Sequence, residues 1–229
     1  MASPPDPSPG PPRRVLITGG EGGLAQALVA EFQEGGYEVL APGRSALDVT
    51  DAAQVRAYLG QLDQLDLLVC NAGLTEDALA GKVTLASWQR QLDVNLRGAF
   101  LCSQAAIPLL EGSAAGGHII NIGSFSGRIG NAGQTAYASA KAGLVALTQS
   151  LALELGPANI RVNCVLPGLL HTKMTKSLPA AAWENARDKH ALSRFNVPRE
   201  AARFIAFLDT LPHTSGQLFQ LDSRIAPWT

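Results

Sequence analysis

Net charge is nearly absent from this sequence. Lysine and arginine total 18 against 19 aspartates and glutamates, a formal net charge of −1, and no basic run occurs. A chain that neutralises nucleic-acid phosphates concentrates basic residues, so no nucleic-acid partner is expected. No apolar run approaches the roughly 18 residues of a membrane span, so no membrane partner is expected either. Cysteine is scarce. Cys70, Cys102 and Cys164 sit in apolar contexts without metal-ligand spacing, which fits buried thiols in a reducing cytoplasm rather than a disulfide framework or a metal site. The opening "MASPPDPSPGPPRR" lacks the apolar centre of a secretory signal. Its prolines cannot bury enough surface to order themselves, so residues 1–12 are expected to form a disordered tail ahead of one domain, 13–229. That domain has ample core material, since the chain is 46% hydrophobic and only 16% charged.

What is present alternates between strand and helix. "RRVLITGG" is an apolar run that ends in glycines, and "EGGLAQALVAEFQEGG" reads as a glycine-rich turn opening a helix that stops at Gly35-Gly36. "YEVLAP" follows as a second strand. Strand, glycine turn, helix, strand is the first unit of a dinucleotide-binding fold. Glycine backbone at Gly19, Gly20, Gly22 and Gly23 can approach a pyrophosphate closely, and a helix N-terminus favours its charge. The predicted fold class is therefore α/β, a Rossmann-type doubly wound parallel sheet flanked by helices. One feature departs from that pattern. Only about five residues separate the second strand from "LDV", too few for a helical crossover, so the crossover after the second strand is predicted to be shortened. Asp51, with Thr50 as the alternative, is expected to cap a helix running to about Leu62.

Three further strands, "DLLVCNAG", "HIINIGS" and "NIRVNCVLPG", are apolar throughout, as parallel strands covered on both faces must be. "SGQLFQLD" reads as the last strand. Ligands bind beyond the carboxyl ends of such strands. Asn71, Ala72 and Gly73, then Ser124, then Pro167 and Gly168, therefore converge with the glycine loop on one rim. Tyr137 and Lys141, at i and i+4 of a predicted helix Tyr137–Leu155, share one helix face at that rim. A phenol beside a fixed ammonium is expected to become more acidic, and a shift of roughly 3 units would let it exchange protons near neutral pH. At the end of the second strand no acid occurs and Arg44 follows, a pattern that favours NADP(H) over NAD(H). The helix predicted from Ser87 to Leu110 carries only Arg97 between Asn95 and Leu110. The Tyr137 helix carries only Glu154 between Lys141 and Gly156. Helices this apolar predict a homo-oligomer, dimer or tetramer, packed through them. "LLHTKMTKSLPAAAWENARDKHALSRF" is expected to cover the site as a loop and helix, and "VPREAARFIAFLDTL" to form a helix opened by Pro198.

Taken together, "TGGEGGLA", "LDVTD", "CNAG", "VNLRG", "IGSFSG", "YASAK" and "RVNCVLPG" resemble the short-chain dehydrogenase/reductase family in its compact single-domain form. Within that family the chain is most similar to 3-oxoacyl-carrier-protein reductases and other ketoreductases. The resemblance implies reduction of a small carbonyl substrate to an alcohol, or the reverse, with a nicotinamide dinucleotide. It implies that Tyr137 is the acid–base residue, that Lys141 holds the nicotinamide ribose and lowers the tyrosine pKa, and that Ser124 hydrogen-bonds the substrate oxygen. Asn95 would hold a water linking the lysine to solvent, Asp48 would contact the adenine, and Thr172 the nicotinamide carboxamide. Thr18, Gly19, Gly22, Gly23 and Leu24 complete the expected dinucleotide site. Substrate walls are expected from Phe125, Ser126, Arg128, Ile129, Gln134, Leu169, Leu170 and His171. Two departures stand out: Ala25 replaces the third loop glycine, and "LDSRIAPWT" replaces a terminal Asp-Gly-Gly. The short crossover also leaves a sugar-nucleotide epimerase or dehydratase with bound NAD as an alternative, beside a non-catalytic dinucleotide-sensing protein.

Overall fold

The computed structural model describes residues 12–226. The expected tail lies outside these residues, apart from its last position. Strand β1 (Arg14–Ile17) leads through a glycine turn into α1 (Gly23–Glu34) and then β2 (Glu38–Leu40). Gly36, at φ +78°, reverses the chain after α1. Helix α2 (Ala52–Leu59) follows, capped by the Asp51 carboxylate, which accepts from Ala53 N at 2.9 Å and Gln54 N at 3.1 Å. Strand β3 (Leu67–Cys70) comes next, then α3 (Leu85–Leu92) and α4 (Gly98–Glu111). The chain continues through β4 (Gly117–Ile122), a short α5 (Ser126–Ile129), α6 (Thr135–Leu155) and β5 (Ile160–Leu166). Helices α7 (Ala180–Asp188) and α8 (Pro198–Asp209) and strand β6 (Leu218–Gln220) close the described fold.

All six strands are parallel, in the order β2-β1-β3-β4-β5-β6. The chain leaves β1 for β2 on one side and returns for β3 on the other, so the switch point lies between the ends of β1 and β3. "LDV" is no strand: residues 41–51 hold neither helix nor strand, and β2 is the sheet edge. The shortened crossover thus removes a whole strand and its helix from that side, and α2 carries the chain directly across to β3.

Alternation along the strands builds three layers. Leu16, Leu68, Cys70, Ile119, Ile160 and Val162 pack beneath α2, α4 and α6. Val15, Ile17, Leu67, Val69, Ile120, Ile122 and Val165 face the opposite way, against α1 and α8. Strands β3, β4 and β5 are buried along their whole length, which is why they read as unbroken apolar runs. The three cysteines are buried and unpaired.

The predicted helix Ser87–Leu110 is two helices joined by a π turn, Asp93–Arg97. This extra residue in the turn sets Asn95 inward, only 1% exposed. Its capping residue is Thr84, whose hydroxyl accepts from Ser87 N at 3.1 Å.

At the amino end of the strands, opposite the rim, a buried polar network ties the layers together. Asp209 of α8 accepts from the Tyr37 hydroxyl at 2.7 Å and from Arg161 Nη2 at 3.0 Å, and Arg13 Nη1 lies 3.3 Å away. His118 Nδ1 stands 2.9 Å from the same carboxylate, and Asn163 Nδ2 lies 3.0 Å from His118 Nε2. These contacts hold Asp209 down at about 2 despite its burial, whereas burial pushes His118 down to about 4. A neutral imidazole that donates from Nδ1 and accepts at Nε2 satisfies both partners.

Candidate active site

One cleft of about 810 Å³ opens along the carboxyl edge of the sheet. One end of it starts from the glycine loop. Gly19 has φ +68°, and a Cβ there would stand 2.9 Å from Ala72 Cα, so only glycine lets the ends of β1 and β3 close together. Gly22 caps α1 without any side chain, leaving the first-turn amides of the helix free of a local acceptor at a wall formed by Gly22, Gly23 and Leu24. The loop after β5 folds back on this turn: a Cβ on Gly23 would come within 3.0 Å of Thr172 Cγ2.

Thr18 does not line the cleft. Its hydroxyl lies beneath, accepting from Asn71 N and Ala72 N at 3.0 Å each. Asn71 Nδ2 returns the tie by donating to Thr18 O at 3.0 Å and Gly19 O at 3.3 Å. Both side chains are thus spent on holding two strand ends in register, and Asn71, Ala72 and Gly73 present their outer faces to the cleft.

Arg44 and Asp48 share a wall and an ion pair, Nε to Oδ2 at 3.0 Å, with Arg44 largely exposed. Asp48 Oδ1 also accepts from Thr50 Oγ1 at 2.7 Å and Thr50 N at 3.0 Å. These Thr50 hydrogen bonds, more than Arg44, hold the Asp48 carboxyl below its usual range. Sequence reasoning missed Glu21 at this end. A Cβ on Gly43 would stand 2.6 Å from Glu21 Oε1, so this carboxylate lies against the backbone just before Arg44.

At the other end Ser124 follows β4, and Tyr137 and Lys141 project from the first turns of α6. Ser124 Oγ accepts from Ser126 N at 3.2 Å, and Ser124 and Tyr137 line the same stretch of the cleft. Lys141 is buried, donates to Ile122 O at 2.7 Å, and sits 5.8 Å from the centre of the Tyr137 ring. Burial without a carboxylate partner lowers Lys141 to about 8.

The expected depression of Tyr137 is not what the protein produces. Desolvation holds the phenol above its ordinary value, the neighbouring Ser124 hydroxyl pulls it down, and the Asp77 carboxylate pushes it up. Sequence spacing shows the neighbouring ammonium but not the burial, and burial is the larger effect.

Asn95 braces this end. Its Oδ1 accepts from Leu74 N at 3.2 Å, and its Nδ2 donates to Leu74 O and Gln91 O, each at 2.8 Å. A Cβ on Gly73 would lie 2.9 Å from Asn95 Oδ1 and 3.7 Å from Lys141 Nζ, so both side chains border Gly73. Pro167 and Gly168, the latter at φ +92°, close the rim after β5.

Of the expected substrate walls, Ser126, Gln134, Leu169 and Leu170 line the cleft. Arg128 and Ile129 do not, and His171 instead stacks on Trp183 of α7, with ring centres 3.9 Å apart. Phe125 is buried under the guanidinium of Arg224, which stands 4.0 Å over its ring. Asp77 and Arg224 were missed as lining residues. The signal available for Arg224 was the departure of "LDSRIAPWT" from the family ending. Among the described residues no group of three or more histidines, cysteines or acids is placed to hold a metal. No helix there is long and apolar enough to cross a membrane.

Comparison with known proteins agrees with this architecture. A family model described as enoyl-(acyl carrier protein) reductase matches residues 15–223. A 3-oxoacyl-[acyl-carrier-protein] reductase of Thermotoga maritima is 36% identical over 237 residues, covering 92% of this chain and 96% of that protein. A 3-oxoacyl-[acyl-carrier-protein] reductase of Synechocystis is 38% identical, over 86% of this chain and 80% of that protein. A (3R)-3-hydroxyacyl-CoA dehydrogenase of the dog is 38% identical, over 76% of this chain and 70% of that protein. With a parallel doubly wound sheet and a match over nearly its whole described length, this chain is an oxidoreductase and belongs to the short-chain dehydrogenase/reductase family.

Proposed function

We propose that this chain interconverts a small ketone, of 3-oxoacyl or similar type, and its secondary alcohol, using a nicotinamide dinucleotide and the set Ser124, Tyr137, Lys141 and Asn95. The observation that carries this reading is that Ser124, Tyr137 and Lys141 line one end of a cleft, with Lys141 Nζ 5.8 Å from the Tyr137 ring centre, while the other end is a glycine turn. A dinucleotide at the glycine end is supported by the lining of Gly19, Gly22 and Gly23 and by the uncapped amides of α1, which offer donors to a pyrophosphate.

When bound, the reduced nicotinamide supplies the hydride. Ser124 and Tyr137 hydrogen-bond the substrate oxygen and polarise its carbonyl. Tyr137, kept protonated by desolvation, gives its proton to that oxygen in the reductive direction and takes it back in the reverse. The Lys141 ammonium then stabilises the phenolate left behind. Thr18, Asn71 and Asn95 keep the strand ends and Leu74 in place for these groups. Thr172, Pro167 and Gly168 would border the nicotinamide.

NADP(H) is the favoured form because Arg44 stands at the adenosine end. NAD(H) is the second reading, supported by the pairing of Arg44 with Asp48 and by the Glu21 carboxylate beside Gly43. We also infer a homo-oligomer, dimer or tetramer, through α4 and α6, whose outer faces expose Phe100 and Leu153. A monomer in analytical ultracentrifugation at micromolar concentration would contradict that assembly. The test of function is absorbance at 340 nm with NADPH or NADH and a panel of ketones. Ketone-dependent loss of signal is expected, and binding of the dinucleotide without turnover on any ketone would contradict the reading.

A further inference from the structure

The segment after β6 departs from the family ending and places one fixed cation at the substrate end of the cleft. Arg224 lines that cleft together with Ser124 and Tyr137. Its guanidinium lies 4.0 Å above the ring of Phe125, the residue next to Ser124. Asp222, whose side chain is 1% exposed, holds it from the other side: Arg224 Nε donates to Asp222 Oδ2 at 2.8 Å, and Nη2 pairs with the same oxygen. The Arg224 backbone is anchored as well, since its N–H donates to Asp222 Oδ1 at 3.1 Å. Among the described residues Nη1 makes no hydrogen bond.

A guanidinium clamped between an aromatic face and a buried carboxylate has lost its rotamer freedom before any ligand arrives. It is therefore preorganised to donate to an acceptor in the cleft. The opposite wall has the opposite sign. Asp77 follows β3, whereas Arg224 follows β6, and the two strands lie on either side of β4, from which Ser124 emerges. A substrate with its carbonyl at Ser124 and Tyr137 thus has an anionic neighbour on one flank and a cationic one on the other. This arrangement orients an anionic group toward Arg224.

We propose that Arg224 is a specificity-determining residue that hydrogen-bonds a carboxylate on the ketone substrate, so that this chain takes short free oxo acids in preference to their neutral esters. The proposal rests on the carbonyl end assigned above to Ser124 and Tyr137. Its test is therefore binding rather than turnover. Calorimetric titration of the full chain with acetoacetate and with methyl acetoacetate, each with and without oxidised dinucleotide, separates charge from shape. The wild-type chain is expected to bind the acid about tenfold or more tightly than the ester. Arg224→Gln should erase that preference while leaving ester affinity within about twofold. Arg224→Lys, which keeps the charge, should retain part of the preference and guards against a Gln variant that fails to fold. Equal binding of both probes by the wild type, binding of neither, or an equal loss for both in Arg224→Gln would overturn the proposal. Absence of ketone turnover with acid preference intact would strike the catalytic reading alone.

Discussion

Lys141 Nζ stands 5.8 Å from the centre of the Tyr137 ring while donating to the carbonyl of Ile122 at 2.7 Å. The amine is thus anchored on β4 and poised beside the phenol without an anionic partner, and its burial lowers it to about 8. Below that value the ammonium is present to stabilise the phenolate; above it the charge is lost. The expected outcome is a kcat/KM for ketone reduction that falls as pH rises through about 8. A profile flat from pH 6 to 9.5 would contradict this role. Stability runs the other way: the unfolded lysine binds more protons between about 8 and its ordinary 10.5, so this residue makes stability rise with pH across that window.

The cleft end proposed to take the adenosine carries Arg44 and the carboxylates of Asp48 and Glu21, and on that proposal their balance is expected to bias the choice between dinucleotides. Asp48 already pairs with Arg44, and Glu21 adds a negative charge beside Gly43. Glu21→Gln is expected to raise the kcat/KM ratio of NADPH to NADH by about threefold or more, and Arg44→Ala to lower it by a similar factor. Ratios unchanged in both variants would show that neither group reads the ribose phosphate.

Acid should destabilise the fold in two stages, both at the buried network far from the cleft. His118 is held at about 4 by burial, below its ordinary 6.5, so from pH 6.5 down to 4 the unfolded chain takes up a proton that the folded chain refuses, and stability falls. Asp209, held at about 2, contributes stability that is fully present above its ordinary 3.8 and is lost as pH falls toward 2. Melting temperature measured from pH 7 to 4.5 should decline in the wild type and decline less steeply in His118→Asn. Parallel slopes would assign the loss to other groups.

Much of this was legible in the sequence, for identifiable reasons. Strands β3, β4 and β5 are covered on both faces, so each reads as an apolar run, and its last residues mark the rim. Tyr137 and Lys141 were recognisable as neighbours because i and i+4 share a helix face whatever the tertiary setting. The π turn at Asp93–Arg97 was not legible, because one extra residue per turn leaves no mark in an apolar pattern. Nor were Asp77 and Arg224, which reach the cleft from irregular segments whose path only the folded chain fixes. The short link after β2 was read correctly as short, but it also removes an edge strand, a consequence of sheet topology rather than of local sequence.

The central claim is that the Tyr137 hydroxyl gives up the proton that accompanies hydride transfer. Replacing it by Tyr137→Phe removes one oxygen and leaves the ring packed. The direct measurement is turnover at 340 nm alongside dinucleotide affinity by fluorescence titration. The account predicts a loss of turnover of about a hundredfold to ten-thousandfold with dinucleotide affinity within about twofold of wild type. A variant that folds, binds dinucleotide and turns over near the wild-type rate would contradict it.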